Sequence, residues 1–159
     1  MRAVVAVDAD WGIGRDGNLL CHLSADLKHF KELTTGRPVI LGRKTLYTFP
    51  KQKPLPNRPN LILTRNPDLR VEGAQVFTDV KAAVAAAGDD AAVIGGGEIY
   101  AQLLKFCDEA EVTRIDRSFG ADTFFPDLDA DPAWVCVSES ETLEEGGIRF
   151  RYCSYKRVK

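Results

Sequence analysis

The sequence predicts an α/β fold: a mostly parallel central β-sheet of about eight strands, helices on both faces, and an antiparallel hairpin at the C-terminal edge. Three observations carry this. Short β-branched and aliphatic runs alternate with helical stretches, the pattern of strand–helix–strand units. The early runs are apolar throughout, as strands buried on both faces are. The last two runs instead alternate apolar and polar residues and are joined by Glu145-Gly146-Gly147, which reads as a hairpin. With 159 residues, 17.5 kDa, 45% apolar and 28% charged residues, the chain suits one domain spanning 1–159 with one sizeable core.

Residues 3–7 form the first buried strand. Ser24 is placed to N-cap a helix running to about residue 35, with Asp26 in its first turn. Residues 38–41 form a second strand, followed by Gly42 and a helix over 43–48 that Pro50 stops. Strands follow at 60–64 and 75–77. Thr78 caps an alanine-rich helix over 79–87, and Gly88 ends it. Residues 91–94 are a strand, Gly95-Gly96-Gly97 a turn, 98–104 a helix, and 111–115 the next strand. Residues 133–140 and 147–157 complete the sheet. Two irregular stretches, 9–23 and 50–59, are longer than connections require, and such loops are usually functional; the first is expected to be a flexible loop over a site.

Only five apolar residues separate Arg2 from Asp8, too few for a signal-peptide core. No run approaches the roughly 20 apolar residues of a membrane span. The four cysteines (Cys21, Cys107, Cys136, Cys153) make no CxxC pair, and His22 and His29 are the only histidines. The expectation is a cytoplasmic protein with reduced thiols, no structural metal, and neither membrane nor nucleic acid as partner. The net charge of −2 conceals an asymmetry. Residues 1–70 hold 12 Lys or Arg against 6 Asp or Glu, hence +6; residues 71–159 hold 9 against 17, hence −8. Either the charges are scattered over a solvated surface or the first half holds an anionic ligand.

In an open parallel sheet, ligands bind beyond the carboxyl ends of strands, and the notable residues cluster there. Gly12-Ile13-Gly14-Arg15-Asp16-Gly17 matches GxGxxG literally. It is not a dinucleotide fingerprint, because no helix begins within it to face a pyrophosphate. Ile94-Gly95-Gly96-Gly97-Glu98-Ile99-Tyr100 either makes a tight turn or lets backbone amides approach a phosphate. Gly42-Arg43-Lys44-Thr45, with Thr64-Arg65 at the next strand end, is either a second anion site or a set of solvated cations. Asp26 shares a helix face with Phe30 and lies beside Leu27. It either complements the helix dipole or is an isolated carboxylate in an apolar pocket, able to anchor a heterocycle with adjacent N–H donors.

Taken in order, these motifs resemble the dihydrofolate reductase family over essentially the whole chain. They comprise the loop from Gly12-Ile13-Gly14 to Leu19, the helix Asp26-Leu27-Lys28-His29-Phe30-Lys31, and Gly42-Arg43-Lys44-Thr45 after a buried strand. Pro54-Leu55-Pro56-Asn57-Arg58, the triple-glycine segment, Thr113-Arg114-Ile115-Asp116 and Asp122-Thr123-Phe124-Phe125-Pro126 follow. The resemblance implies NADPH-dependent reduction of 7,8-dihydrofolate to tetrahydrofolate for one-carbon metabolism, in a monomer sensitive to antifolate inhibitors. Asp26 and Thr113 would be the catalytic pair. Val4, Val5, Leu27, Phe30, Phe49, Leu55, Ile94 and Tyr100 would line the substrate site, with Arg58 clamping the glutamate α-carboxylate and Lys31 near the tail. Arg43, Thr64 and Arg65 would receive the adenosine 2′-phosphate of NADPH. Lys44, Thr45, Gly96, Gly97, Glu98 and Ile99 would hold its pyrophosphate region, and Ala6 and Ile13 its nicotinamide amide. Leu19, Gly42, Leu63, Gly95 and Gln102 complete the implied cofactor site.

The chain departs from the family at Leu20-Cys21, where many members have Pro-Trp, and at Ser24, often Pro. Two other readings use parts of the same inventory: a reductase of this fold acting on a phosphorylated ribityl-pyrimidine in riboflavin synthesis, and a non-catalytic nucleotide-binding module. Asp26, Thr113 and Arg58 together favour the folate.

Overall fold

The computed structural model describes residues 1–158. In chain order its elements are β1 (Arg2–Val7), β2 (Gly12–Gly14), α1 (Ser24–Thr34), β3 (Val39–Gly42), α2 (Arg43–Leu46), β4 (Asn60–Leu63), β5 (Gln75–Phe77), α3 (Val80–Ala87), β6 (Ala92–Gly95), α4 (Gly97–Leu103), β7 (Glu109–Ile115), β8 (Thr123–Phe124), β9 (Trp134–Glu139), β10 (Leu143–Glu145) and β11 (Ile148–Arg157). The main sheet has the order β10-β11-β7-β1-β6-β3-β4-β5, with β9 also paired to β11. From β7 to β5 every neighbouring pair is parallel, whereas β11 runs antiparallel to β7. The sheet has nine strands because β10 and β9 both pair with β11, opposite different stretches of it. The tight hairpin therefore joins β10 to β11 through Gly146 and Gly147, whose φ values of 58° and 80° suit a primed turn.

Strand alternation divides the core between the two faces. Val4, Leu41, Ile62 and Ile94 gather on one face, where Phe30 and Leu33 of α1 pack against them. Val5, Ile40, Leu63 and Val93 point the other way and are covered by Ala83 and Ala87 of α3 and by Ile99 and Leu103 of α4. After Arg2, β1 is apolar because both faces are covered: Ala3, Val4, Val5 and Val7 are all 7% exposed or less.

The helix ends correct the sequence reading in detail. Asp79, not Thr78, caps α3, its side chain accepting from the Ala82 amide at 3.1 Å. Gly88 ends that helix with φ 78°. The helix after Gly42 stops at Leu46, before a short 3₁₀ turn at Pro50–Gln52. Among the described residues, no helix is long and apolar enough to cross a membrane.

Candidate active site

The first turn of α1 lies against β7. Thr113, 4% exposed in β7, donates its hydroxyl to Asp26 Oδ1 at 2.6 Å. Burial raises the Asp26 carboxyl above the usual carboxylate range, opposed by the Thr113 hydrogen bond and by His29. Desolvation wins because one hydroxyl replaces only part of the lost hydration. Among the described residues nothing hydrogen-bonds the second carboxylate oxygen, which is left for a ligand.

An apolar wall adjoins this pair. Val4, Ile94, Phe30, Phe49 and Leu55 belong to one packed cluster, and Leu27 stays 47% exposed on α1. Val5 is a correction: its side chain is packed on the opposite face with Ile99 and Tyr100, so only its backbone is left for a ligand. Tyr100 is likewise a core residue, 4% exposed, donating its hydroxyl to the Val4 carbonyl at 2.6 Å. Burial pushes its phenol pKa up. Tyr100 thus fixes β1 beside the site and belongs to the core rather than to the pterin-facing wall.

At the far end of α1 sits Arg58. Its Nη1 donates to Thr34 Oγ1 at 2.7 Å and its Nε to the Pro56 carbonyl at 2.8 Å. Thr34, fully buried, in turn donates to the Phe30 carbonyl at 2.9 Å. Burial lowers the guanidinium pKa, yet among the described residues no carboxylate pairs with it. A cation oriented by two neutral acceptors and lacking an anion is preorganised for an anionic ligand. Lys31 is exposed on the same helix.

The glycine turn forms a second concavity. The Gly95–Gly96 peptide is cis, and Gly95 has φ 124°, a conformation closed to other residues. At Gly97 a Cβ would lie 2.7 Å from Thr123 Cγ2 and 3.8 Å from Ile13 Cδ1, so the first loop is pressed against the turn. Thr45 Oγ1 approaches the other side, 3.4 Å from a Cβ placed on Gly95. A Cβ on Gly42 would sit 3.0 Å from Ile99 Cγ1. Gly42, Thr45, Gly95, Gly96, Gly97, Ile99 and Ile13 therefore meet, as the motifs require. Arg43 and Lys44 are exposed at the rim, with no ion pair among the described residues. Arg65 pairs with Glu98 at 3.6 Å, the side chains 88% and 73% exposed, a contact worth little and readily exchanged. These features fit a phosphate-bearing dinucleotide: close backbone approach at the turn and free cations at the edge. Thr64 Oγ1 accepts from the Asn66 amide in a turn. Leu63 is buried in the core, so its side chain contributes nothing there. Leu19 and Gln102 are exposed, and Ala6 is half-buried near Cys21.

Two features escaped the sequence reading. The first loop has fixed contacts that the sequence did not announce: β2 pairs with β8, and Asp8 anchors the loop's start. Asp8 is fully buried. Its Oδ1 accepts from the Asp10 and Gly12 amides at 2.8 and 2.7 Å, and its Oδ2 from the Phe119 amide at 3.1 Å. Further out, Asp122 accepts from the Asp16 amide at 2.9 Å, and this bond holds the Asp122 carboxyl below its ordinary range. An acid immediately after a buried strand was the only signal available for Asp8. The second feature is the start of α1. Ser24 caps nothing with its side chain. Instead Glu145, from the hairpin, accepts from the Ser24 amide at 2.7 Å and the Ala25 amide at 3.0 Å, two of the donors a helix start leaves unpaired. Those bonds lower the Glu145 pKa. Cys21 is half-buried in the adjoining cluster, its thiol pKa raised by burial and then by Asp26.

A family model described as dihydrofolate reductase matches residues 1–157. The chain is 43% identical over 117 residues to a dihydrofolate reductase type 3 of Salmonella typhimurium, covering 72% of this chain and 71% of that protein. It is 35% identical over 144 residues to the dihydrofolate reductase of Bacillus subtilis (strain 168), covering 89% and 84%. The fold is similar to that of a dihydrofolate reductase from Enterococcus faecalis complexed with NADP(H) and RAB-propyl, with a TM-score of 0.89 at 35% identity, covering 99% of this chain and 96% of that one.

Proposed function

The chain belongs to the dihydrofolate reductase family and catalyses the NADPH-dependent reduction of 7,8-dihydrofolate to tetrahydrofolate, and we propose that its residues divide this work as follows. The observation that carries the assignment is the Asp26–Thr113 pair at one end of an apolar wall and the unpaired Arg58 at the other. A pterin joined through an aminobenzoyl ring to a glutamate has that polarity: adjacent N–H donors, flat apolar rings, then a carboxylate. Asp26 accepts from the pterin amino group and N3, held in place by Thr113. Val4, Leu27, Phe30, Phe49, Leu55 and Ile94 enclose the rings. Arg58 clamps the α-carboxylate and Lys31 adds positive charge near the tail.

NADPH supplies the hydride. On the protein side, Arg43, Thr64 and Arg65 hold the 2′-phosphate, and Lys44, Thr45 and Gly96 to Ile99 hold the pyrophosphate region. The backbone of Ala6 and Ile13 orients the amide at the reacting end. Hydride transfer asks the protein to align two flat rings and exclude water, and no nucleophile is needed. The reduced nitrogen must also gain a proton. Asp26 contacts the far edge of the pterin, so it polarises the ring and supports proton delivery through a water rather than donating directly. We also assign the protein to the cytoplasm and a monomeric state, with 1–159 as one domain and antifolates as inhibitors. Loss of nicotinamide absorbance on mixing protein, NADPH and dihydrofolate tests the activity; methotrexate-sensitive turnover is the expected result, and its absence would overturn the assignment.

A further inference from the structure

Away from the folate site, β9 and β11 bring together three ligand-type side chains that are distant in sequence. Cys153 lies opposite Glu139, and Ser154 opposite Ser138; the register then slips, so that Tyr155 faces Cys136. The slip makes Val137 an extra residue on β9. Cys136 and Glu139, three apart, therefore share a face that regular alternation would have denied one of them. One ligand atom from each of Cys136, Glu139 and Cys153 lies within 4.8 Å of the other two. Cys153 is 2% exposed, whereas Cys136 and Glu139 are exposed. All the cysteines are free.

We propose that Cys136, Glu139 and Cys153 bind a thiophilic divalent cation of the zinc type, leaving a fourth coordination position open to water. Two sulfurs and a carboxylate are a donor set such ions accept. A tetrahedral ion with metal–sulfur bonds of about 2.3 Å holds its ligand atoms a little under 4 Å apart, a spacing compatible with atoms that already lie within 4.8 Å of one another. The charges also close. Two thiolates and one carboxylate carry three negative charges, and the ion together with Arg151, which pairs with Glu139, carries three positive ones. Each thiol releases its proton to water as its metal–sulfur bond forms, so no oxidant is required. A disulfide fits less well, because Cys136 is diagonal to Cys153. Diagonal neighbours lie roughly 7–8 Å apart, beyond the usual Cα separation of about 4.4–6.8 Å for a disulfide. Motif spacing pointed to no structural metal because these ligands meet only through the strand slip.

The site is on the other side of the sheet from the chemistry. Tyr152, next to Cys153, points to α1 and donates to the Ala25 carbonyl at 3.3 Å, so Cys153 faces away. The bound ion would cross-link β9 to β11 and leave turnover unchanged. Titration of the reduced, full-length protein with Co²⁺ tests this. The expected result is one equivalent bound, with thiolate-to-cobalt charge-transfer absorption that Zn²⁺ displaces. C136S, at an exposed position outside the folate and NADPH sites, should lose the band while keeping normal turnover, which reports that it folds. E139Q should bind at least about tenfold more weakly, since even supporting groups around a metal are worth 10–100-fold, and C21S should bind as wild type does. No band in the wild type, or an unchanged band in C136S, would overturn the proposal. So would loss of two titratable thiols in air without cobalt binding, which would identify a disulfide pair instead.

Discussion

The two halves of the ligand cleft are built on opposite electrostatic plans. At the two ends of α1, one charged group each is partly desolvated and individually placed: Asp26 held by Thr113, Arg58 held by Thr34 and Pro56. Around α2 and the glycine turn, the cations Arg43, Lys44 and Arg65 are exposed, and the backbone supplies the shape. In the first region each charge is less screened by solvent, so losing one group changes the energy of the bound state more directly. In the second, water and salt already weaken each contact, and affinity is shared among several groups. Substitutions should therefore separate by region, with large localised effects on the α1 side and small, salt-dependent ones at the rim.

Asp26→Asn should produce the largest effect. Removing the titratable group should slow hydride transfer by about 10²-fold or more near neutral pH while largely sparing NADPH affinity. Wild-type transfer should decline as pH rises through the raised Asp26 pKa, and the variant should lose that dependence. Stability should move the other way. Because the folded-state pKa lies above the unfolded one, ionising Asp26 costs the native state, and stability falls as pH rises from the unfolded value through the folded one. The amide carries no such cost, so the variant should melt higher than wild type at neutral pH and lose the advantage in acid. Pre-steady-state kinetics and thermal melts across pH read both; near-normal turnover would remove Asp26 from the mechanism.

Arg58→Ala comes next. A charge-assisted hydrogen bond contributes about 1.5–3 kcal/mol, so KM for dihydrofolate should rise roughly 10–100-fold with kcat little changed. Arg58→Lys should recover only part, since an ammonium lacks the planar fork. Thr34→Val should weaken tail binding through Arg58 alone, because Thr34 Oγ1 orients the guanidinium. A fall in kcat equal to the rise in KM would contradict a role confined to the tail.

How much of this was readable in the sequence follows the same division. The central strands β1, β3, β4 and β6 were legible because burial on both faces leaves near-continuous apolar runs. Asp26 and the triple glycine stood out as unusual residues at a helix start and a strand end, each with two readings open, whereas Arg58 came into view only through the family resemblance. What depended on long-range packing was not. Glu145 is 121 residues from the Ser24 amide it caps, so the nearer Ser24 hydroxyl was the only capping signal on view. Val5 and Leu63 sit beside residues packed on the opposite face, and only the register of each strand turns their side chains into the core. The contacts of the first loop rest on Asp8 and on β8, a two-residue strand too short to show a period.

At the rim, Arg43→Ala should weaken NADPH by up to roughly fivefold, in the range of a solvent-screened ion pair, with less effect on NADH. The loss should shrink as ionic strength rises. Binding titrations with both nucleotides at two salt concentrations check this. Equal losses for the two would contradict the 2′-phosphate assignment, and a salt-independent loss would move Arg43 into the first region.

The smallest expected effect lies where the hairpin meets α1. Glu145 is only half-buried, so its two bonds to the Ser24 and Ala25 amides compete with water. Their signature is nonetheless specific. These bonds lower the Glu145 pKa, so the stability they provide is present above the unfolded glutamate value and is lost as pH falls through the lower, folded one. Glu145→Gln should therefore melt slightly below wild type at neutral pH and converge with it in acid. Ser24→Pro sharpens the comparison: proline suits the first helical position but has no N–H to donate. With Glu145 present, the preorganised φ is offset by a lost hydrogen bond. A neutral amide in place of that carboxylate makes the loss smaller, so Ser24→Pro should be more favourable in the Glu145→Gln background. A double-mutant cycle of melting temperatures measures the coupling. Additive effects would mean that Glu145 merely lies near the helix start, and that α1 places Asp26 without help from the hairpin.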